Sequence, residues 1–286
     1  MTDPTREFNF TSADFERVRT LIYQHAGISL APVKQDMVYS RLARRLRALG
    51  YATFEQYLSH LESNDAEEWE IFVNSLTTNL TSFFREAHHF EILTRYVREL
   101  RQRPIRIWCS AASTGEEPYS LAITACEAFD SMTPPVEIFA SDIDTNVLAT
   151  AEKGIYTLER VSQLSTNRLQ RFFLKGTKDQ AGYVRVRPEL QKMIRFMRIN
   201  LLDARWAVQG PFDAIFCRNV MIYFDKPTQY AILKKFMPLL REDGLLFAGH
   251  SESFLHAADI FRSIGRTVYE RADRRSTEPV LPAIKR

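Results

Sequence analysis

The period of the apolar residues changes near residue 90, and this change constrains the fold more than any other feature of the chain. Beyond it, short apolar runs at 105–110, 136–141, 194–198, 213–217, 245–249 and 267–270 alternate with segments of helical period at 115–129, 144–153 and 227–240. Strands that alternate with helices imply a parallel sheet with crossover helices, a doubly wound, Rossmann-like α/β domain. In such sheets a ligand lies beyond the carboxyl ends of the strands, near the point where strand order reverses. The residues just after the first, second and fourth of these runs are therefore the first place to look for chemistry.

Before the change, residues 11–78 carry helical period almost throughout. Thr11-Ser-Ala-Asp14 can cap a helix whose apolar face is Phe15, Val18, Leu21 and Ile22, with Gly27 as its stop. In a second helix over 34–49, Val38, Leu42, Leu46 and Leu49 share one face, while Arg41, Arg44, Arg45 and Arg47 spread over the other. Thr53-Phe-Glu-Gln56 reads as a capping box opening a third helix, and Asp65 to Thr77 as a fourth. Segment 34–47 holds five bases and one acid, and 51–70 holds six acids and no base. Such segregation is either a solvated surface or a dock for a charged partner. A second basic stretch, Arg168 to Arg205, has ten bases against three acids. In its middle the turn-rich 175–182 and the alternating Tyr183-Val-Arg-Val-Arg187 predict a small antiparallel hairpin inserted into the α/β domain.

Composition narrows the class. With 286 residues, 45% of them hydrophobic and 26% charged, the chain has material for one large domain or two ordinary ones and is no disordered or fibrous protein. No apolar run approaches the ~18 residues of a membrane helix, and the first residues lack the pattern of a secretory signal. Cys109, Cys126 and Cys217 are dispersed among apolar residues, which predicts buried thiols of a cytoplasmic protein. No His/Cys/Asp cluster has ligand spacing, so no metal is expected. The adjacent His88 and His89 are read as structural, and His250, after the fifth strand, is read more readily as a loop residue than as one that touches the site.

The first strand runs into Ala111-Ala-Ser-Thr-Gly115, a small-residue turn that lets the backbone approach a nucleoside closely. Glu116 and Glu117 follow at the start of a helix, where a dinucleotide fold places a pyrophosphate. Two readings stand side by side. Acids simply favour a first helical turn by ~0.3–1 kcal/mol each, or they repel phosphate and favour a cationic, phosphate-free nucleoside such as S-adenosylmethionine. Asp142, at the tip of strand two, is placed to accept from both ribose hydroxyls, and Asp144 reads as the N-cap of the next helix.

Five segments taken together resemble the bacterial chemotaxis receptor methyltransferases of the CheR type. They are Asn74-Ser-Leu-Thr-Thr-Asn-Leu-Thr-Ser-Phe-Phe-Arg-Glu86, Ala112-Ser-Thr-Gly-Glu-Glu-Pro-Tyr-Ser120, Ser141-Asp-Ile-Asp144, Phe212-Asp-Ala-Ile-Phe-Cys-Arg-Asn-Val-Met-Ile-Tyr-Phe224 and Asp243-Gly-Leu-Leu-Phe-Ala-Gly-His-Ser-Glu252. Their order is also the family's, and the resemblance runs from about residue 12 to 271. It implies an S-adenosylmethionine-dependent protein-glutamate O-methyltransferase acting on chemoreceptors. It further implies a helical domain over 1–78, a linker over 79–90 that contributes to the cofactor site, and a methyltransferase domain over 91–271. That domain would carry a β insertion at about 168–199, with 272–286 as a flexible tail.

By the same resemblance Asn79, Thr81 and Arg85 reach the cofactor, and Gly115 lies in its loop. Glu117 takes its methionine amino group, Asp142 its ribose, and Asn200, Leu201, Arg218 and Asn219 complete the pocket. Tyr223 lies near the transferred methyl, and Arg85 orients the acceptor. The basic helix 34–49 would meet receptor helices, and the insertion at 175–187 would hold a peptide from the receptor's C-terminus. The reaction product on the cofactor side would be S-adenosylhomocysteine, and neither nucleic acid nor membrane insertion is expected. A glutamate acceptor, with its pKa near ~4.3, is already ionised at neutral pH and needs no general base.

Overall fold

The computed structural model describes residues 6–63, 66–77, 79–100 and 104–274, and these form two compact units. The first comprises the N-terminal residues up to 77 together with Tyr223–Asp225; the second is the rest, from Asn79 on. Asp65, the expected start of the fourth helix, lies outside the described residues, as do residues 275–286 of the expected tail. Ala272 to Arg274 are tied in: the Ala272 amide donates to the Ile260 carbonyl at 2.9 Å and Arg274 pairs with Glu270 at 2.9 Å.

Among its described residues the first unit has four α-helices, α1 (Ser12–Ala26), α2 (Gln35–Leu49), α3 (Phe54–Glu62) and α4 (Ala66–Leu76). Thr11 and Asp14 exchange both bonds of a capping box at α1, and Gly27 closes it in the left-handed region. At α3 the box is only half formed: Thr53 accepts from the Gln56 amide, but the Gln56 side chain reaches the Ala52 amide instead of that of Thr53. α2 buries Val38, Leu42, Ala43 and Leu46 as its period requires.

Its basic face differs from the solvated surface that spacing suggests. Arg41 donates to the Ser75 carbonyl at 3.0 Å and to that of Thr77, Arg47 pairs with Glu7, and Arg45 grips Glu68 through Nε at 2.8 and 2.9 Å. Glu68 is 3% exposed and also accepts from the Tyr57 hydroxyl at 2.9 Å. Three of the four arginines thus hold the unit together, and Arg44 is exposed.

The second unit is built on a seven-stranded sheet flanked by helices. In chain order its elements are α5 (His88–Glu99), β1 (Ile105–Cys109), α6 (Glu116–Phe129), β2 (Val136–Asp142), α7 (Thr145–Lys153), β3 (Ile155–Thr157), α8 (Thr166–Phe172), β4 (Phe173–Lys175), β5 (Tyr183–Val186) and α9 (Pro188–Gln191). They continue through β6 (Ile194–Arg198), β7 (Phe212–Cys217), α10 (Lys226–Phe236), β8 (Leu240–Ala248), β9 (Phe261–Gly265) and β10 (Val268–Arg271). The order is β6-β2-β1-β7-β8-β10-β9, with the first five strands parallel and β10 antiparallel to both its neighbours. Every residue of β7 is buried, and β1 and β2 are buried at all but one position each. Strands covered on both faces read as apolar runs for this reason. α6 is buried from Pro118 to Cys126, packed between α5, β2 and α9. Because β2 lies on one side of β1 and β7 on the other, strand order reverses between β1 and β7.

Two elements depart from expectation. β9 was not foreseen, because its turn into β10 is Arg266-Thr267, both at positive φ (52° and 57°) without the Asn-Gly signal of a tight hairpin. His89 secures that turn through Nε2, 2.9 Å from the Arg266 carbonyl. The small antiparallel sheet has three strands in the order β3-β5-β4, so it begins at Ile155, ahead of the expected 168–199. β6, which that range included, belongs to the large sheet. A three-residue strand directly behind α7 is too short to show alternation. The basic stretch is also partly consumed: Arg168 pairs with Glu127, Arg171 with Asp130 and Arg195 with Glu137.

Replacing Glu68 with Ala would strand the Arg45 guanidinium and the Tyr57 hydroxyl, and we expect it to lower the unfolding free energy by ~3 kcal/mol in urea titration. The double variant Arg45→Met with Glu68→Leu should recover most of that loss; no recovery would mean that the pair is not what Glu68 contributes.

Candidate active site

The tips of β1, β2 and β7 meet linker 79–87 at the carboxyl edge of the sheet. The β1 tip is pinned on both sides, with the Ser110 amide donating to the Phe216 carbonyl (2.9 Å) and the Ala112 amide to that of Ser141 (2.8 Å). Ser113 follows at φ 48° and gives its amide to Asp142 Oδ2 at 2.8 Å, while its hydroxyl donates to the Asn79 carbonyl at 3.1 Å. Gly115 N-caps α6 at φ 98°, where a Cβ would come within 2.7 Å of Tyr156 Oη and 2.8 Å of Ala151 Cβ. Tyr156, from the small sheet, donates its hydroxyl to the Thr114 carbonyl at 2.8 Å. The turn therefore needs glycine for its backbone and for lack of space.

Asp142 is buried, and both its oxygens already accept amides: Oδ2 that of Ser113 and Oδ1 that of Asp144 at 3.0 Å. Burial pushes its pKa up to about 6, against the pull of these amides. Asp144 caps α7 as expected and also accepts from Asn79 Nδ2 at 2.8 Å, which ties the linker to the β2 tip.

The two acids of α6 diverge. Glu116 is fully buried, accepts from the Thr114 hydroxyl at 2.6 Å, and lies 3.4 Å from the Arg160 guanidinium. Glu117 faces the crevice side: it accepts from the Cys109 thiol at 3.2 Å and pairs with Arg218 Nη1 at 2.5 Å. Arg218 is buried, lies 3.3 Å from Glu86 as well, and donates to the Arg85 carbonyl. Burial opposes its charge, but Glu117 and Glu86 raise its pKa overall. For Glu86 burial would raise the pKa, yet Arg218 and His250 bring it down to about 2.

Of the other expected residues, all but Tyr223 belong to the same unit. Arg85 donates Nη1 to the Leu80 carbonyl at 2.9 Å, and the Thr81 carbonyl accepts from Arg160 at 3.3 Å. Asn200 folds the loop after β6, its Oδ1 accepting the Leu202 amide at 3.0 Å, and the Leu201 carbonyl accepts from Lys235 Nζ at 2.7 Å. Asn219 stands at φ 58° and directs Nδ2 to Glu86 Oε1 at 3.4 Å. Tyr223 belongs to the helical unit, its carbonyl accepting the Ser29 amide at 2.8 Å.

Glu86 and Glu252 had been passed over. Glu86 is a counter-charge of the buried Arg218, a role signalled only by that arginine's need for one. His250 meets Glu86 through Nδ1 at 3.0 Å and so touches the network. Glu252 is buried beside Asn219. His89 fits its structural reading: burial lowers its pKa to about 3, so it is neutral. Glu86, His88 and His89 place their ligand atoms within 4.8 Å of one another, but the Arg218 guanidinium beside Glu86 and the N-terminus of α5 both disfavour a cation there.

A glycine cradle after β1, a buried carboxylate at the β2 tip and Glu117 at the start of α6, where a pyrophosphate would sit, fit a phosphate-free nucleoside. The family models agree. Residues 13–77 match the CheR methyltransferase all-alpha domain, and residues 79–270 the CheR methyltransferase SAM-binding domain. The chain belongs to the CheR methyltransferase family. It is 55% identical over 269 residues to chemotaxis protein methyltransferase 2 of Pseudomonas aeruginosa, covering 93% of this chain and 96% of that protein. It is 55% identical to the chemotaxis protein methyltransferase of Salmonella typhimurium (93% and 92% covered) and 54% identical to that of Escherichia coli (93% and 93%). This CheR protein is a methyltransferase of chemotaxis whose cofactor is S-adenosylmethionine.

Gly115 and Gly182 share nearly the same φ, 98° and 94°, but an added Cβ meets nothing within 4 Å at Gly182. Gly182→Ala should cost about 1–2 kcal/mol of stability for the left-handed backbone alone. Gly115→Ala should cost at least about 1–3 kcal/mol more, because it must also displace Tyr156. Equal urea midpoints for the two variants would remove the close-packing account of the turn.

Proposed function

We propose that this chain methylates glutamate side chains of membrane chemoreceptors, giving glutamate methyl esters for sensory adaptation, and that it does so in the cytoplasm. The observation that carries the reading is that the buried ionisable groups around Arg218 and the tips of β1 and β7 are already committed. Glu117 and Glu86 neutralise Arg218, His89 is held neutral with its Nε2 on the Arg266 carbonyl, and burial raises the Cys109 and Cys217 thiols. An amine or hydroxyl acceptor would need a base to take its proton. A carboxylate, ionised near pH ~4.3 and above, needs none.

When bound, S-adenosylmethionine supplies an electrophilic methyl group on a sulfonium. Asp142 would hold the ribose hydroxyls, the turn at Gly115 would admit the nucleoside, and Asn79, Thr81, Asn200, Leu201, Arg218 and Asn219 would enclose it. Glu117 would receive the amino group while still sharing Arg218. The new bond joins a carboxylate oxygen to carbon as the bond to sulfur breaks, and no proton moves. What remains for the protein is positioning, worth several kcal/mol when a reacting pair is held in line near ~3 Å. Arg85 retains donors beyond its bond to Leu80 and would orient the acceptor. Tyr223 would steady the acceptor or the methyl group through its hydroxyl.

For the receptor tail, β5 is paired on both sides, so an added peptide strand would join an edge of the small sheet, β3 or β4. Such a tether raises the local concentration of enzyme around clustered receptors to roughly millimolar. The helical unit would meet receptor helices with Arg44 as the arginine of α2 least engaged within the unit.

Membranes bearing receptor, incubated with methyl-tritiated cofactor and this protein, should yield base-labile, volatile label, and receptors lacking their terminal residues should be labelled more slowly. Label that survives base would exclude the ester.

Asp142 adds a pH dependence. Its folded pKa of about 6 lies above the ordinary carboxylate value, so the stability it contributes is full in acid and is lost as pH rises toward 6. Ribose hydroxyls donate to the ionised form, so binding should release a proton near that pH. Affinity for S-adenosylhomocysteine should therefore fall as pH drops from about 8 to 5, and Asp142→Asn should bind more weakly with a flatter profile. Titration calorimetry across that range reads both.

A further inference from the structure

Glu252 sits in the loop after β8, in Gly249-His-Ser-Glu252, and is 5% exposed. Its carboxylate lies in a nest of backbone amides. Oε1 accepts the Met221 amide at 2.8 Å, Oε2 accepts the Asn219 amide at 3.0 Å and that of Gly249, and the Ile222 amide also donates to the group. Three of these amides belong to the segment that follows Arg218. That segment opens with Asn219 in the left-handed region, which asparagine tolerates better than most non-glycine residues. Its approach to the Glu252 loop is close: a Cβ on Gly249 would fall 2.3 Å from Asn219 Nδ2 and 2.9 Å from Glu252 Oε2.

We propose that Glu252 is a positioning residue for methyl transfer, whose carboxylate fixes the segment after β7 so that Arg218 and Asn219 are presented to the crevice. The chemistry requires a carboxylate in particular. Several amide donors converge on two oxygens, and only an ionised carboxyl offers lone pairs at both with no hydrogen of its own. A glutamine has nearly the same shape, but its NH2 must face at least one of the same N–H groups. The segment loses an anchor at the Asn219 and Met221 amides. Burial pushes the Glu252 pKa up while the amides pull it down, so the anion and the ordered segment stabilise each other.

This inference rests on the reading of Arg218 and Asn219 as cofactor-site residues, and the experiment separates the two. Affinity for S-adenosylhomocysteine is measured by calorimetry on full-length wild type, Glu252→Gln, Glu252→Asp and Asn219→Ala, at a temperature where circular dichroism shows each to be folded. The expected result is a loss of at least tenfold in Glu252→Gln, with partial recovery in Glu252→Asp, which keeps the charge and both acceptors. A purely structural glutamate would lower the melting temperature but leave the affinity of the folded protein alone. An affinity within twofold of wild type in Glu252→Gln, beside a weakened Asn219→Ala, overturns the role of Glu252. Unchanged affinity in Asn219→Ala overturns the reading of the site itself. If Glu252→Gln does not fold, amide hydrogen exchange on the wild type decides the matter. Protection of the Asn219 and Met221 amides at the level of β8 supports the proposal, and exchange at open-loop rates overturns it.

Discussion

A buried guanidinium organises the catalytic unit. The Arg218 side chain leaves the tip of β7 buried and is neutralised by Glu117 from α6 and Glu86 from the linker, while Nη2 also donates to the Arg85 carbonyl. An unpaired charge at this depth would be prohibitive, so the three segments are bound to one another by electrostatic necessity. A chain that placed Arg218 here without Glu86 or Glu117 would lose the crevice as well as the pair. The network reaches outward through His250 and inward to the Cys109 thiol.

Around that charge the backbone is held in conformations it would not choose alone. Phe84, Glu86, Ser113 and Asn219 all have positive φ, the first two in the linker and the others just beyond β1 and β7. Each is held by a specific bond or contact. The Phe84 amide donates to the Ser120 hydroxyl at 2.9 Å and its ring lies under Arg168, the Glu86 carbonyl accepts the His89 amide at 3.0 Å, the Ser113 amide is held by Asp142, and that of Asn219 by Glu252. Strain gathered at one place and offset by buried carboxylates is what a preformed binding site requires. It also explains why the acids here are shared between holding the backbone and meeting a ligand.

Much of this was legible in the sequence. The switch from helical period to strand–helix alternation foretold the helical and α/β units, because a strand buried on both faces must be apolar throughout and a surface helix must be striped. The caps at Thr11 and Asp144 and the glycine turn at 115 follow from local backbone chemistry that a few neighbouring residues settle. The place of Asp142 at the end of β2 was legible because a strand tip near a switch point is a position defined by topology. The small sheet was only half read, since the alternation at 183–187 is clear whereas Ile155–Thr157 is too short to have a period. β9 escaped because its turn uses Arg266 and Thr267 in a conformation that their side chains disfavour and that the His89 contact holds.

Local order along the chain therefore determined the element types, the caps and the acids at strand tips, all of which depend on residues within a turn or two of each other. Only the tertiary structure decided which charges are spent. Arg45 is neutralised by Glu68, Arg168 by Glu127 and Arg218 by Glu86, partners 23, 41 and over a hundred residues away in sequence. A basic face and an ion-paired core look identical in composition, because a charge is defined by what stands within a few ångströms of it. That distance is set by folding and not by spacing along the chain.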